Sequence, residues 1–381
     1  MIQCESVQEN CDKMQANVEF SLRAKFPERY EQLFQAALLK GEPAVKAWSS
    51  YSTNLSLPEI EKDFESEPYL LLPLLYRNLE DHGQSENFPT KYGGVYRYTW
   101  TKNQSLIHDA AQTIKLLLNA GIETLILKGA ALAITHYQDF GVRPMKDVDV
   151  AVKPEKLAAT VRVLGKNGWT LRASSQLNRE FENAAGNRFD VHWFVGGDDW
   201  KRATPVMVQE VPAWTLNATD HLNLISGIYK WSVLWAADTF MLINHSSYPI
   251  DWNRLIKCKN DATHMLALRM ALHYLSVVLG AYVPQNILTD LTHEKISRRT
   301  YLYFVAVVCP AQANSEHPFA RLRELWFNYC RIVPSKNFLL SPLEFLLYLR
   351  YRWKLNRWWK FPLAAFARLI ARLPNLSCAK K

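Results

Sequence analysis

Residues 146–152 read Lys-Asp-Val-Asp-Val-Ala-Val, and no other stretch of the chain restricts its fold so tightly. Side chains alternate across a strand with period two, so Asp147 and Asp149 share one face while Val148, Val150 and Val152 point the other way. The valine face has to be covered by a core. The carboxylate face makes a divalent-cation site.

A second strand repeats the arrangement about forty residues on, in Arg188-Phe189-Asp190-Val191-His192-Trp193. Phe189, Val191 and Trp193 would bury, and Asp190 and His192 would share the opposite face. Three aspartates held together repel one another unless a cation intervenes, and Mg²⁺, which prefers oxygen ligands, offsets that repulsion. The trio implies metal-assisted phosphoryl or nucleotidyl transfer. In this reading Asp147 and Asp149 hold Mg²⁺ on the triphosphate of a nucleotide, and Asp190 binds a second ion and helps deprotonate an acceptor hydroxyl. Two such ions, roughly 3.5 to 4 Å apart, stabilise the attacking and the leaving oxygens of an in-line displacement. His192 is expected to contact Asp190 or the acceptor. Lys128 and Gly129 stand where a strand turns into a helix, a place at which backbone N–H groups can hold a phosphate. Lys128 and Arg143 are the expected nucleotide-binding cations, Arg143 through its bidentate fork.

The order of a strand ending in a glycine turn, a short helix, an Asp-x-Asp strand and a later single-Asp strand resembles the DNA polymerase beta-like nucleotidyltransferase superfamily. More narrowly, Leu127-Lys128-Gly129-Ala130-Ala131-Leu132, the stretch from Gly141 to Val152 and the Asp-x-His-Trp at Asp190 to Trp193 resemble the "uncharacterised nucleotidyltransferase" family of bacterial proteins. The similarity extends upstream to Leu70–Leu79 and downstream to Trp235–Asp238, about residues 40 to 285 in all. It implies an NTP donor, ATP first among the candidates, and an acceptor that the sequence does not identify. The chain departs from the superfamily pattern at Ala130, where a serine usually offers its hydroxyl to phosphate. Asp238 is expected to orient a helical lobe toward the site.

At 381 residues, 49% hydrophobic and 12% aromatic, the chain is long enough for two or three packed domains. The six cysteines form no Cys-x-x-Cys pair and have no histidine spacing suited to zinc, so they read as reduced thiols with no zinc site. Residues 1–17 carry Glu5, Glu9 and Asp12 and do not resemble a signal peptide; no uncharged apolar run approaches about 20 residues. The expectation is a cytoplasmic protein, peripheral at the inner face of the membrane if its tail binds lipid.

The periodicity predicts an α+β fold, a small mixed β-sheet flanked by N-terminal and C-terminal helical regions, and the resemblance implies that this sheet is a nucleotidyltransferase core. The expected domains are a helical lobe over 1–98, an α/β core over 99–212, a helical domain over 213–335 and a basic Trp-rich amphipathic tail over 336–381. Strands are expected at 123–127, 147–152, 169–173 and 188–194, with the polar stretch between the last two forming a connection.

No acidic residue follows Glu344, and nine basic residues do. They match the whole net charge of +9, which leaves residues 1–344 formally neutral and gives no support to a nucleic-acid groove around the core. Tryptophans interleaved with cations across 352–360 suit an anionic membrane surface, and residues 345–381 are expected to be separable from the core. The competing reading is a tail packed on the protein itself. A catalytically silent adaptor docking through this tail is the alternative to an enzyme.

Overall fold

The computed structural model describes residues 28–53, 67–83, 90–226, 232–245, 247, 249–257, 262–293, 296–307, 322–323, 325–326, 329 and 341–370. All six cysteines, the first 27 residues and the last 11 lie outside them, as do parts of the helical regions expected over 1–98 and 213–335.

The longest element, Thr90–Asn119, is helical because Leu106, Ile107, Ala110, Ile114 and Leu117 recur at three- and four-residue intervals and bury together. It ends where Gly121 takes a φ of 68° and Ile122 N–H reaches back to the carbonyl of Leu117, a closure that left-handed glycine permits. This single helix runs across position 98, so the helical lobe and the α/β core share it and the expected boundary falls inside one rigid element.

Seven strands form one mixed sheet in the order β3-β4-β5-β2-β1-β7-β6: β1 Leu125–Ile126, β2 Val148–Ala151, β3 Thr170–Ser174, β4 Asn178–Glu182, β5 Arg188–His192, β6 Thr204–Val208 and β7 Val211–Thr215. The polar stretch read as a connection contains β4. Its alternation is hidden because only Phe181 of its five residues is buried, and pairing with β3 and β5 on either side supplies what burial does not. β7 also carries the core past residue 212. β2 lies parallel to β5 with Asp149 opposite Asp190, and Val148, Val150, Phe189 and Val191 pack beneath them against the long helix.

The helices before and after the sheet share one hydrophobic cluster. Leu33, Phe34 and Leu75 from the N-terminal side pack with Leu222, Leu266, Leu272 and Phe304, and Gln35 Nε2 donates to the carbonyl of Val278 at 2.8 Å. The two expected helical regions therefore form one body. Its central helix, Ala262–Leu279, is long and apolar enough to cross a membrane, yet 72% of it is buried inside the protein, as a core helix apolar on all sides must be.

Helix Ser341–Arg352 belongs to the same body. Phe345, Tyr348 and Leu349 are in the cluster, and Glu344 holds the fork of Arg298 and the hydroxyl of Tyr329. The expectation of a separable tail from residue 345 is corrected: a cut there would run through the core.

Candidate active site

The functional face of the sheet is the one opposite the long helix. β2 and β5 are neighbours in register, so the period that buries their valines also brings Asp149, Asp190 and His192 together. One ligand atom from each lies within 4.8 Å of the others, a grouping able to hold a metal ion. His192 Nε2 stands 2.7 Å from Asp149 Oδ1 and 3.3 Å from Asp190 Oδ2. Asn178, on β4, donates to both oxygens of Asp190 at 2.8 Å.

Lys128 completes the cluster. Its Nζ lies 2.5 Å from Asp149 Oδ1 and 3.5 Å from His192 Nε2, and its backbone adopts a left-handed φ of 49°. That conformation costs a non-glycine residue on the order of 1 kcal/mol. Strain of this kind persists only where the surroundings hold it, and here it turns the ammonium inward.

Burial works against the charge of Asp149, but the hydrogen bond from His192 and the ammonium of Lys128 outweigh it and hold the carboxyl below its ordinary value. The reverse holds at His192, where burial opposes protonation and Asp149 and Asp190 outweigh it, raising the imidazole.

Asp147 stands apart from this cluster. It lies one residue before β2 on the wall of a cleft of about 420 Å³, which also reaches Lys128, Arg143 and Asp149. Burial, then the charges of Asp149, Asp190 and Glu180, push its carboxyl up to about 6, with Lys128 acting the other way. An unfolded aspartate titrates near 4. The folded state therefore holds an extra proton between about pH 4 and 6, and the contribution of this group to stability falls as pH rises through that window. Asp147→Asn is expected to raise the melting temperature of the metal-free protein at pH 7, by up to about 3 kcal/mol of stability, and to leave it unchanged at pH 4. A variant that melts below the parent in chelator at pH 7 would show that Asp147 is not under repulsion.

Arg143 is placed differently from the expectation of a phosphate clamp. Its Nε and Nη2 each donate to Asp238 at 2.7 Å, and Tyr137 Oη donates to the same carboxylate at 3.0 Å. Burial opposes the guanidinium's charge and Asp238 more than restores it, holding Arg143 above its ordinary value. The fork is thus used inside the protein, tying the loop before β2 to helix Val233–Asn244. Gly129 makes room for it: a Cβ there would stand 2.0 Å from Arg143 Nη1. The glycine is needed for this close approach, whatever it offers a phosphate.

Sequence reasoning missed five contributors. Asn178 and Glu180 sit on the unexpected β4, Glu180 directly opposite Asp190. Asn103, fully buried on the long helix, donates to the carbonyls of Phe140 and Arg143 and so fixes the loop that delivers Asp147. Lys102 and Tyr98, one helical turn apart on that helix, line the cleft, and Tyr98 is 64% exposed. The spacing of Tyr98, Lys102 and Asn103 was visible, but nothing in it pointed to the cleft.

A mixed sheet presenting paired aspartates from adjacent parallel strands fits the nucleotidyltransferase class. The profile of the family described as "Uncharacterised nucleotidyltransferase" matches residues 70–280, more than half of the chain, and this protein belongs to that family. Among solved structures the chain is similar to a lincosamide antibiotic adenylyltransferase, LnuA, with lincomycin bound, at 14% identity over 34% of this chain and 90% of that one, with a TM-score of 0.29. It is also similar to an antigenic nucleotidyltransferase-like protein from Paracoccidioides brasiliensis, at 15% identity over 53% and 95% of the two chains, with a TM-score of 0.32. A comparison with curated proteins finds no match.

Proposed function

We propose that the protein is a Mg²⁺-dependent nucleotidyltransferase that moves a nucleotidyl group from an NTP, ATP being the first donor to test, to a hydroxyl of an acceptor. The observation that carries this reading is the register of Asp149 against Asp190, with the ammonium of Lys128 drawn onto Asp149. A lysine held there by backbone strain marks a place where positive charge is required. The oxygen donors suit a hard cation.

Asp149 and Asp190 would hold the metal, with Asp147 facing the same cleft. When bound, Mg²⁺ neutralises charge on the phosphates and on the leaving oxygen. His192 fits a positioning role better than a ligand role. Its Nδ1 is buried with no hydrogen-bond partner, whereas a metal on Nε2 would require a proton on Nδ1 and an acceptor for it. With the proton on Nε2 the ring donates to Asp149 and sets its orientation.

Lys128 would follow the incoming negative charge toward the triphosphate, Lys102 would bind phosphate at the mouth of the cleft, and Tyr98 would offer its ring to the base. Arg143 presents only its outer edge to the nucleotide. Asp190, steadied by Asn178, takes the proton of the acceptor hydroxyl as that oxygen bonds to the α-phosphorus and pyrophosphate leaves. A silent adaptor would have no reason to keep Lys128 strained over a carboxylate.

The test is to incubate the protein and Mg²⁺ with cell extract and ATP labelled at either the α or the γ phosphorus. Label should enter an acceptor only from the α position, with release of pyrophosphate. Transfer from the γ position would make the protein a kinase, and no transfer from any of the four NTPs would favour the adaptor.

A further inference from the structure

Past the core helix Ser341–Arg352 the chain reverses and forms a last described helix, Lys360–Ile370. The reversal is built. Lys354 takes a left-handed φ of 54°, and Leu355 N–H returns to the carbonyl of Arg350, the closure that ends many helices. Arg350 also donates to the carbonyls of Leu355 and Asn356 and lies 4.9 Å from the ring of Trp358. One side of the hairpin is anchored: the rings of Trp353 and Phe361 meet at 5.1 Å, tilted by 32°, and pack against the core cluster.

Among the described residues nothing covers the other side. Trp358, Trp359, Leu363 and Phe366 are 49%, 60%, 61% and 62% exposed. Trp359, Leu363 and Phe366 follow one another at helical spacings of four and three, so they form one outward stripe. Lys354, Arg357 and Lys360 are exposed beside them, and Lys360 lies 5.6 Å from the ring of Trp359. No acidic residue follows Glu344 in the sequence, and Glu344 is already taken by Arg298, so these cations are not neutralised from within their own segment.

An apolar stripe rich in tryptophan, edged by cations and free of carboxylates, matches the boundary between lipid headgroups and acyl chains. We propose that the hairpin over residues 353–370 docks the protein on an anionic lipid surface. This surface is independent of the nucleotidyl site. Docking places the hairpin's outer stripe in the interface and leaves helix Ser341–Arg352 in the protein core.

The test uses the full chain and sedimentation with vesicles of phosphatidylcholine alone or with about one third phosphatidylglycerol. The parent should sediment with the anionic vesicles only, and binding should fall as salt rises from 0.1 to 1 M, over which the screening length shrinks from about 10 to 3 Å. Each cation near such a surface is worth about five-fold in partitioning, so Arg357→Glu with Lys360→Glu should weaken binding at least ~25-fold. Leu363→Ser with Phe366→Ser, which keeps every charge, should weaken it as well. All four positions are exposed, so both variants should melt with the parent. The proposal is overturned if the parent ignores anionic vesicles, if either pair leaves binding unchanged, or if single-stranded RNA is retained in place of the vesicles.

Discussion

Asp238→Asn should destabilise the protein by about 3 to 5 kcal/mol, the usual effect of removing one partner from a buried ion pair. The side chains of Arg143 and Asp238 are only 12% and 6% exposed. The guanidinium lies directly over Gly129, so it cannot swing away without displacing the Lys128–Gly129 turn. The amide keeps the shape of the carboxylate but leaves Arg143 charged and Tyr137 with a weaker acceptor. A denaturant titration measures the effect. Arg143→Met combined with Asp238→Leu and Tyr137→Phe should recover most of the loss, because the penalty comes from stranded polar groups and a packed apolar cluster of similar volume is often neutral. If Asp238→Asn costs less than about 1 kcal/mol, the pair is not what holds the loop before β2 to the helical body.

Much of the site was legible because strand periodicity is a local property. Val148, Val150 and Asp149, then Phe189, Val191 and Asp190, state in sequence which face is core and which is chemistry. Their partners were not legible, since partnership is set by strand order. β4 reads as a polar loop because four of its five residues are polar and only Phe181 is buried, and without it Asn178 and Glu180 cannot be placed beside Asp190. Arg143 looked like a free cation for the same reason: its partner lies 95 residues away on a helix whose position no local pattern gives. The tail was misjudged at its boundary. Phe345, Tyr348 and Leu349 lead in sequence straight into the cation-rich stretch with Trp358 and the amphipathic stretch from Leu363, yet the turn at Lys354 separates a buried helix from an exposed one.

Within the site the three aspartates differ in what each one faces. Asp147 is partly buried and repelled, so its neutralisation should stabilise the metal-free protein. Asp149 is paired with Lys128 and His192, so Asp149→Asn removes the negative charge that both face and should destabilise the metal-free protein while abolishing transfer. Lys128 keeps 29% of its side chain exposed and can turn into the cleft, so that loss should be about 1 to 3 kcal/mol, below the cost of stranding Arg143.

The most direct measurement is Mn²⁺ binding to the nucleotide-free protein, followed by the loss of the free-ion paramagnetic resonance signal. Manganese serves as a spectroscopic substitute for Mg²⁺, and no acceptor has to be known. Asp149→Asn and Asp190→Asn should each weaken binding at least about 100-fold, at the upper end of what removal of supporting groups alone produces. Lys128→Met should strengthen it, because the ammonium that competes for Asp149 is gone. If Asp149→Asn and Asp190→Asn bind Mn²⁺ like the parent, the carboxylate pair on β2 and β5 is not a metal centre and the proposed reaction falls with it.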